Sequence, residues 1–113
     1  MADPARGEVW AADLDPTRDH EQGGRRPVLV VSVDMFNQGP AGLAIVLPIT
    51  SVLRNIPAHL IVHPPEGGLK APSRILCDAV RSVSRGRFLR CWGVVSPATM
   101  DGVEDRLRIL MGL

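Results

Sequence analysis

The sequence feature that most constrains the fold is a pair of short runs that are apolar at consecutive positions. Residues 27–33 and 43–49 both lack the strict alternation of polar and apolar side chains that marks a half-exposed strand. Short runs of this kind, rich in Val, Leu and Ile, are typical of strands inside a protein core. We therefore predict that both are buried strands, apolar on both faces.

Shorter apolar segments elsewhere predict further strands. Residues 7–14 alternate loosely and predict the first strand, and residues 58–62 predict the fourth. Residues 73–80 and 90–95 are two more predicted strands, and residues 81–89 are interpreted as a basic connection between them. Proline and glycine are scattered along the chain, which favours many turns between short elements.

The C-terminal segment has the pattern of a helix. Ser96 and Pro97 form a start signal, with Ser as the N-cap and Pro at the first helical position. Apolar residues then recur at helical spacing as far as Gly112, at Met100, Val103, Leu107, Leu110 and Met111. Several strands followed by one helix predict a mainly β fold, a small bent antiparallel sheet or barrel with the helix packed on it. The length predicts a single domain, residues 1–113.

Composition argues against secretion and membrane insertion. The N-terminus has no apolar signal core, and no apolar run is long enough to span a membrane. Cys77 and Cys91 lack the spacing of a metal site and lie in apolar runs, so we predict two buried free thiols. These features are consistent with a cytoplasmic protein.

Charge is distributed unevenly along a chain whose net charge is only +1. Residues 73–92 contain five arginines, against Asp78 as the one acidic residue. Such a segment suits a local anionic partner such as RNA phosphate. The alternative is that these arginines are the solvated edge of a sheet.

Functional groups are predicted where the two buried strands meet their flanking loops. Residues 21–27 read Glu-Gln-Gly-Gly-Arg-Arg-Pro, which places two guanidinium groups and a carboxylate before the first buried strand. Thr50 and Ser51 directly follow the second buried strand, so the fold could bring Arg26 and Thr50 together. The alternative is a surface hairpin loop with ordinary solvated charges.

Other chemistries lack support in the sequence. There is no Walker loop, dinucleotide fingerprint or zinc spacing, and Asp13 and Asp15 have no third ligand, so no metal site is predicted. His20, His59 and His63 have no obvious partners that would make them an acid–base pair. Arginine, carboxylate and hydroxyl remain, and this set suits phosphodiester chemistry without a metal or cofactor. RNA supplies its own nucleophile, the 2′-hydroxyl.

The motifs together resemble those of the MazF/PemK family of toxins. The resemblance is carried by residues 6–10 (Arg-Gly-Glu-Val-Trp), by residues 13–17 (Asp-Leu-Asp-Pro-Thr), by residues 21–30 and by residues 48–51 (Pro-Ile-Thr-Ser). It extends over nearly the whole chain. The family fold that it implies is a small SH3-like β-barrel of the PemK/CcdB type with a C-terminal helix.

The resemblance also implies an activity and partners. A protein of this family is expected to be an endoribonuclease that cleaves single-stranded RNA sequence-specifically and without a metal, leaving 2′,3′-cyclic phosphate and 5′-hydroxyl ends. It is expected to form a homodimer and to be inhibited by a cognate, MazE-like antitoxin whose flexible tail covers the RNA groove.

Site residues follow by matching this chain to the family motifs. The resemblance implies that Arg26 serves in proton transfer and phosphate binding, that Thr50 stabilises the transition state, and that Glu21 positions or assists. The implied RNA-binding residues are Gln22, Arg25, Ser51, Asp78 and Arg81.

Two departures and two alternatives accompany this interpretation. Ala79 and Ser82 stand where many members have Gln and Thr, and Ala79 has no side-chain group to hydrogen-bond a base edge, so the recognised RNA sequence is expected to differ. One alternative is a gyrase inhibitor of the CcdB type, although such relatives commonly end in Trp and this chain ends in Leu113. The other is a catalytically inactive RNA-binding module.

Overall fold

The computed structural model describes residues 3–14 and 24–113, and within them it is mainly β. The strands and helices are β1 (Glu8–Asp13), β2 (Arg25–Val30), α1 (Asp34–Asn37), β3 (Leu43–Thr50), β4 (His59–Val62), β5 (Ser73–Leu76), β6 (Arg81–Ser84), β7 (Phe88–Val94) and α2 (Pro97–Met111). Two short 3₁₀ turns, Glu66–Gly68 and Arg85–Arg87, precede β5 and β7.

The seven strands form one antiparallel sheet in the order β4-β5-β3-β2-β1-β7, and β6 pairs with the first half of β3. Within the described residues no pairing joins β4 to β7, so the sheet is bent but not closed into a full barrel. The predicted mainly β fold with a C-terminal helix is confirmed.

The two central strands are buried on both faces, as their sequences predict. On β2, Leu29 packs into one core cluster, and Val28 and Val30 pack into the other. On β3, Leu47 joins the first cluster and Val46 the second. Because successive side chains of a strand point to opposite faces, each central strand contributes to two separate cores.

One predicted connection proved to be a strand. Residues 81–84 were interpreted as part of a basic connection but form β6, which pairs with β3 from Leu43 to Val46. The sequence of β6, Arg-Ser-Val-Ser, has no apolar run, and Val83 is its one buried residue. The hydropathy pattern therefore gives no strand signal there. The predicted strand over residues 73–80 is also shorter, since β5 ends at Leu76.

Helix α2 begins as predicted, because the Ser96 hydroxyl accepts a hydrogen bond from the Thr99 N–H at 3.1 Å. Met100 and Val103 are buried in the first core cluster, and Leu107 packs against it. Glu66, in the Glu66–Gly68 turn, accepts hydrogen bonds from the Ser96 N–H and the Thr99 hydroxyl. No helix in the described residues is long and apolar enough to cross a membrane.

The prediction of two buried thiols was correct for only one cysteine. Cys77 is buried, and burial raises its pKa to about 11. Cys91 is exposed, because it lies on β7, an edge strand that within residues 3–14 and 24–113 pairs with β1 alone and is exposed at most of its positions. Both thiols are free.

Candidate active site

A pocket of about 510 Å³ lies at the edge of the sheet where β2 begins and β3 ends. Its volume falls within the roughly 300–1,000 Å³ that is usual for small-ligand sites. Its lining comes from the strand ends, from the segment after the Glu66–Gly68 turn and from β7. The lining residues are Gly24, Arg25, Arg26, Pro27, Ile49, Thr50, Ser51, Val52, Leu69, Lys70, Ala71, Ser73 and Trp92.

Strand pairing explains why Arg26 and Thr50 line the same pocket. Strands β2 and β3 are antiparallel, with Val28 opposite Pro48. The pairing ends there, two residues short of Arg26 on β2 and of Thr50 on β3, so both residues lie at the same end of this strand pair. Both line the pocket, as the sequence suggested they could.

The Thr50 side chain is held in one orientation. It is only 8 % exposed, and its hydroxyl oxygen accepts a hydrogen bond from the Val52 N–H at 3.2 Å. A hydroxyl has two acceptor lone pairs and one donor hydrogen. The bond from Val52 uses one lone pair, which leaves the O–H hydrogen available for donation to a ligand in the pocket.

A buried arginine supports the loop that follows Thr50. Arg74 lies opposite Thr50 on β5, is 5 % exposed, and donates from Nε to the Val52 carbonyl at 2.6 Å. Its guanidinium also contacts Nδ1 of His59, whose Nε2 lies 2.7 Å from Asp78 Oδ1. Because a guanidinium can only donate, Nδ1 is the acceptor and Nε2 carries the hydrogen that is donated to Asp78.

The predicted RNA-binding residues fall into three groups. Arg25 and Ser51 line the pocket beside Arg26. Asp78 and Arg81 do not line it: Asp78 pairs with His59, and Arg81 donates to the Leu14 carbonyl at 3.2 Å, on the segment that leaves β1. Glu21 and Gln22 lie outside the described residues.

Three residues near the site were not predicted as site residues from the sequence. Lys70 and Trp92 line the pocket, and Arg74 pairs with Thr50 between β5 and β3. For Arg74 a signal was present, since it is the one charged residue between Ser73 and Cys77, directly before an apolar run. Nothing local distinguishes Trp92 from an edge-strand residue. Among the described residues, no three His, Cys, Asp or Glu side chains come together in a metal-type group.

Proteins of known structure share this architecture. A MazF crystal structure from Deinococcus radiodurans superposes with a TM-score of 0.87, at 30 % identity and over the full length of both chains. An endoribonuclease from a mycobacterial species, solved with its cognate antitoxin, gives a TM-score of 0.81 at 25 % identity, with 97 % of this chain and 96 % of that chain covered.

Sequence comparison gives the same class. Residues 5–111 match the model of the family described as PemK-like, MazF-like toxins of type II toxin–antitoxin systems, so the chain belongs to that family. Among its relatives is the endoribonuclease MazF9 of Mycobacterium tuberculosis, which is 32 % identical over 113 residues, or 96 % of each chain.

Proposed function

We propose that this protein is the toxin of a type II toxin–antitoxin system and acts as a metal-independent, sequence-specific endoribonuclease on single-stranded RNA. Support comes from its family and from the endoribonuclease relatives that it matches over nearly their full length. The observation that supports the chemistry is the pocket that both Arg26 and Thr50 line, at the start of β2 and the end of β3.

The proposed reaction is a transesterification within the RNA. The 2′-oxygen attacks the neighbouring phosphorus and loses its proton, and the bond from phosphorus to the 5′-oxygen breaks. The products are a 2′,3′-cyclic phosphate and, after the leaving oxygen gains a proton, a 5′-hydroxyl. Negative charge grows on the non-bridging oxygens as the phosphorane forms, so fixed donors that face them lower the barrier.

Arg26 and Thr50 are the residues that we assign to this charge. A guanidinium presents a planar fork of donors that matches two phosphate oxygens, and Arg26 also serves in proton transfer. The Thr50 hydroxyl, oriented by the Val52 N–H, supplies a further donor to the transition state. Glu21 is proposed to position or assist the reacting groups. Arg25, Ser51 and Gln22 are proposed RNA contacts.

The proposed partners are single-stranded RNA, a second copy of the chain and a cognate antitoxin. A mycobacterial relative was solved with its cognate antitoxin, which supports the last of these. RNA as substrate places the protein in the cytoplasm. Asp78 and Arg81 are kept as proposed RNA contacts at the margin of the site, and their position outside the pocket makes them the least direct of the set.

The experiment is to map RNA fragment ends after incubation with purified protein in a chelating buffer. We expect cleavage at a short recurrent sequence, with cyclic phosphate and 5′-hydroxyl ends. Arg26→Ala should lose the activity while retaining its unfolding midpoint, and Arg90→Ala, an exposed arginine on β7 outside the pocket, serves as the control. Cleavage that needs a divalent metal, or an Arg26→Ala variant that cuts normally, would contradict the proposal.

A further inference from the structure

The two tryptophans of this chain have different surroundings. Trp10 is 7 % exposed, packs edge-to-face on Phe88 with ring centroids 5.9 Å apart, and donates its indole N–H to Glu8 at 2.9 Å. Trp92 is 41 % exposed and lines the pocket, and within the described residues it makes neither kind of contact. Trp10 is thus fixed by the core, whereas Trp92 keeps 41 % of its surface exposed and lines the pocket.

A β-bulge directs Trp92 towards the pocket. In the pairing of β1 with β7, Val9 lies opposite Gly93 and Trp10 lies opposite Cys91. Trp92 is therefore the extra residue on β7, without a partner on β1. A bulge of this kind interrupts the alternation of a strand and re-aims one side chain, and bulges are frequent at sheet edges beside active sites.

The backbone at the bulge is held by direct contact with the Glu66–Gly68 turn. A Cβ atom on Gly68 would lie 2.2 Å from the Trp92 carbonyl oxygen, and one on Gly93 would lie 2.9 Å from the Gly68 nitrogen. Only residues without a side chain allow the turn to lie this close to β7. The carboxylate of Glu66 in turn binds the start of α2, so the bulge is fixed between β1 and a turn that is itself anchored.

The residues that share the pocket with Trp92 have the chemistry of a phosphate site. Arg25, Arg26 and Lys70 line the same pocket as Trp92. A cationic surface with a rigid aromatic ring beside it is the combination by which proteins hold single-stranded nucleic acid, since the cations bind the backbone and the ring stacks on an unpaired base.

We propose that Trp92 is a stacking platform for an unpaired base of the RNA, next to the phosphodiester bound by Arg26. This inference rests on the proposed function, because it assigns a subsite of the same pocket. Every base has a π-face, so the platform contributes affinity and orients the chain without selecting one base. Its expected effect is on binding of RNA and not on the chemical step.

The test uses intrinsic fluorescence together with an uncleavable probe. The probe is a labelled, random-sequence single-stranded 12-mer with 2′-O-methyl riboses throughout, and its affinity is followed by anisotropy. We expect it to quench tryptophan emission in the wild-type protein but not in Trp92→Phe, where only buried Trp10 emits. Trp92→Ala should bind the probe about 10- to 100-fold more weakly, and Trp92→Phe should lose only a few-fold because its ring still stacks.

Leu89→Ala is the matched control, since Leu89 is a 48 % exposed apolar residue on the same strand and outside the pocket. It should bind as the wild type does. Wild-type affinity of Trp92→Ala, or unquenched emission at saturation, would overturn the proposal. So would a concentration-dependent blue shift of Trp92 emission without RNA that the probe does not alter, since the ring would then be covered by a second copy.

The cleavage assay separates this proposal from the proposed function. If the wild type cleaves transcripts and Trp92→Ala binds the probe as tightly as the wild type does, the stacking proposal is overturned and the proposed endoribonuclease activity stands. Quenching and weakened binding without any cleavage by the wild type would keep the stacking subsite and reject the endoribonuclease.

Discussion

Thr50 has an arginine on each side, and the two arginines have different surroundings. Arg26 lies on β2, which neighbours β3 on one side, and lines the pocket with Thr50. Arg74 lies on β5, paired directly with Thr50, and is almost fully buried with its donors directed at the Val52 carbonyl and His59. The same residue type thus lines the pocket on one neighbouring strand and is buried against protein groups on the other.

The difference shows how the environment decides the role of an arginine. A guanidinium removed from water is destabilising unless its hydrogens meet acceptors, so the burial of Arg74 depends on Val52 and His59. A guanidinium at a pocket mouth keeps access to an anionic ligand. We therefore expect the two arginines to differ in kind: Arg26 acts on the rate, and Arg74 acts on stability and on the position of the Thr50 loop.

The largest effect is expected for Arg26→Lys, which keeps the charge and removes the planar fork. One lost transition-state donor corresponds to about a 10²- to 10³-fold lower cleavage rate. The free energy of unfolding should change by no more than about 0.5 kcal/mol, because the side chain is at the pocket surface. Single-turnover cleavage and urea unfolding measure the two quantities. A fully active Arg26→Lys variant would show that a positive charge is sufficient for cleavage at this position. The proposed difference in role between Arg26 and Arg74 would then be wrong.

Arg74→Met should lower the stability strongly and the cleavage rate moderately, the reverse of what we expect for Arg26→Lys. Methionine keeps the length of the side chain but removes charged donors from the Val52 carbonyl, and one such hydrogen bond contributes about 1.5–3 kcal/mol. We expect the free energy of unfolding to fall by that amount and kcat to fall about 10-fold, with little change in KM, because the loop that orients Thr50 is released.

The matched control for stability is Arg54→Met, since Arg54 is an exposed arginine in the same loop. It should unfold like the wild type. If Arg74→Met proved as stable as Arg54→Met, the interpretation of Arg74 as the support of this loop would be wrong.

The sequence points to Arg26 as a candidate site residue but does not reveal the structural role of Arg74, and the reason is physical. Arg26 lies between a glycine pair and a proline at the start of an apolar run, and these local signals place it at a strand mouth. The role of Arg74 depends on acceptors 15 and 22 residues away in the chain, His59 and Val52. No local pattern reports such contacts.

The fold shows the same division between local and non-local information. Strands β2 and β3 were predictable because consecutive apolar residues need burial on both faces, and α2 was predictable from its cap and spacing. Strand β6 was missed because it has one buried residue and is defined by pairing with β3. The exposure of Cys91 follows from the edge position of β7, which is a property of topology.

His59→Ala should reproduce part of the Arg74→Met effect. It removes the acceptor Nδ1 from the buried guanidinium and leaves the bond from Nε to Val52 in place. We expect a loss of about 1.5 kcal/mol in the free energy of unfolding, the lower end for a hydrogen bond that involves a charged group. His63→Ala, an exposed histidine at the end of the same strand, is the control.

A double-mutant cycle of His59→Ala with Arg74→Met should show coupling between the two changes in unfolding free energy. Strict additivity would mean that the two side chains do not act together.

The smallest effect on stability is expected for Asp78→Asn. The same variant tests which of two roles Asp78 has. Asp78 is 48 % exposed where it meets His59, so water screens the pair and the change should cost no more than about 0.5 kcal/mol. If Asp78 only orients His59, the amide oxygen still accepts the Nε2 hydrogen, and the mapped RNA cleavage sites remain the same. A changed cleavage sequence at unchanged stability would instead make Asp78 an RNA contact, as the family resemblance implies, and would extend the RNA-binding surface from the Arg26 side of Thr50 to the Arg74 side.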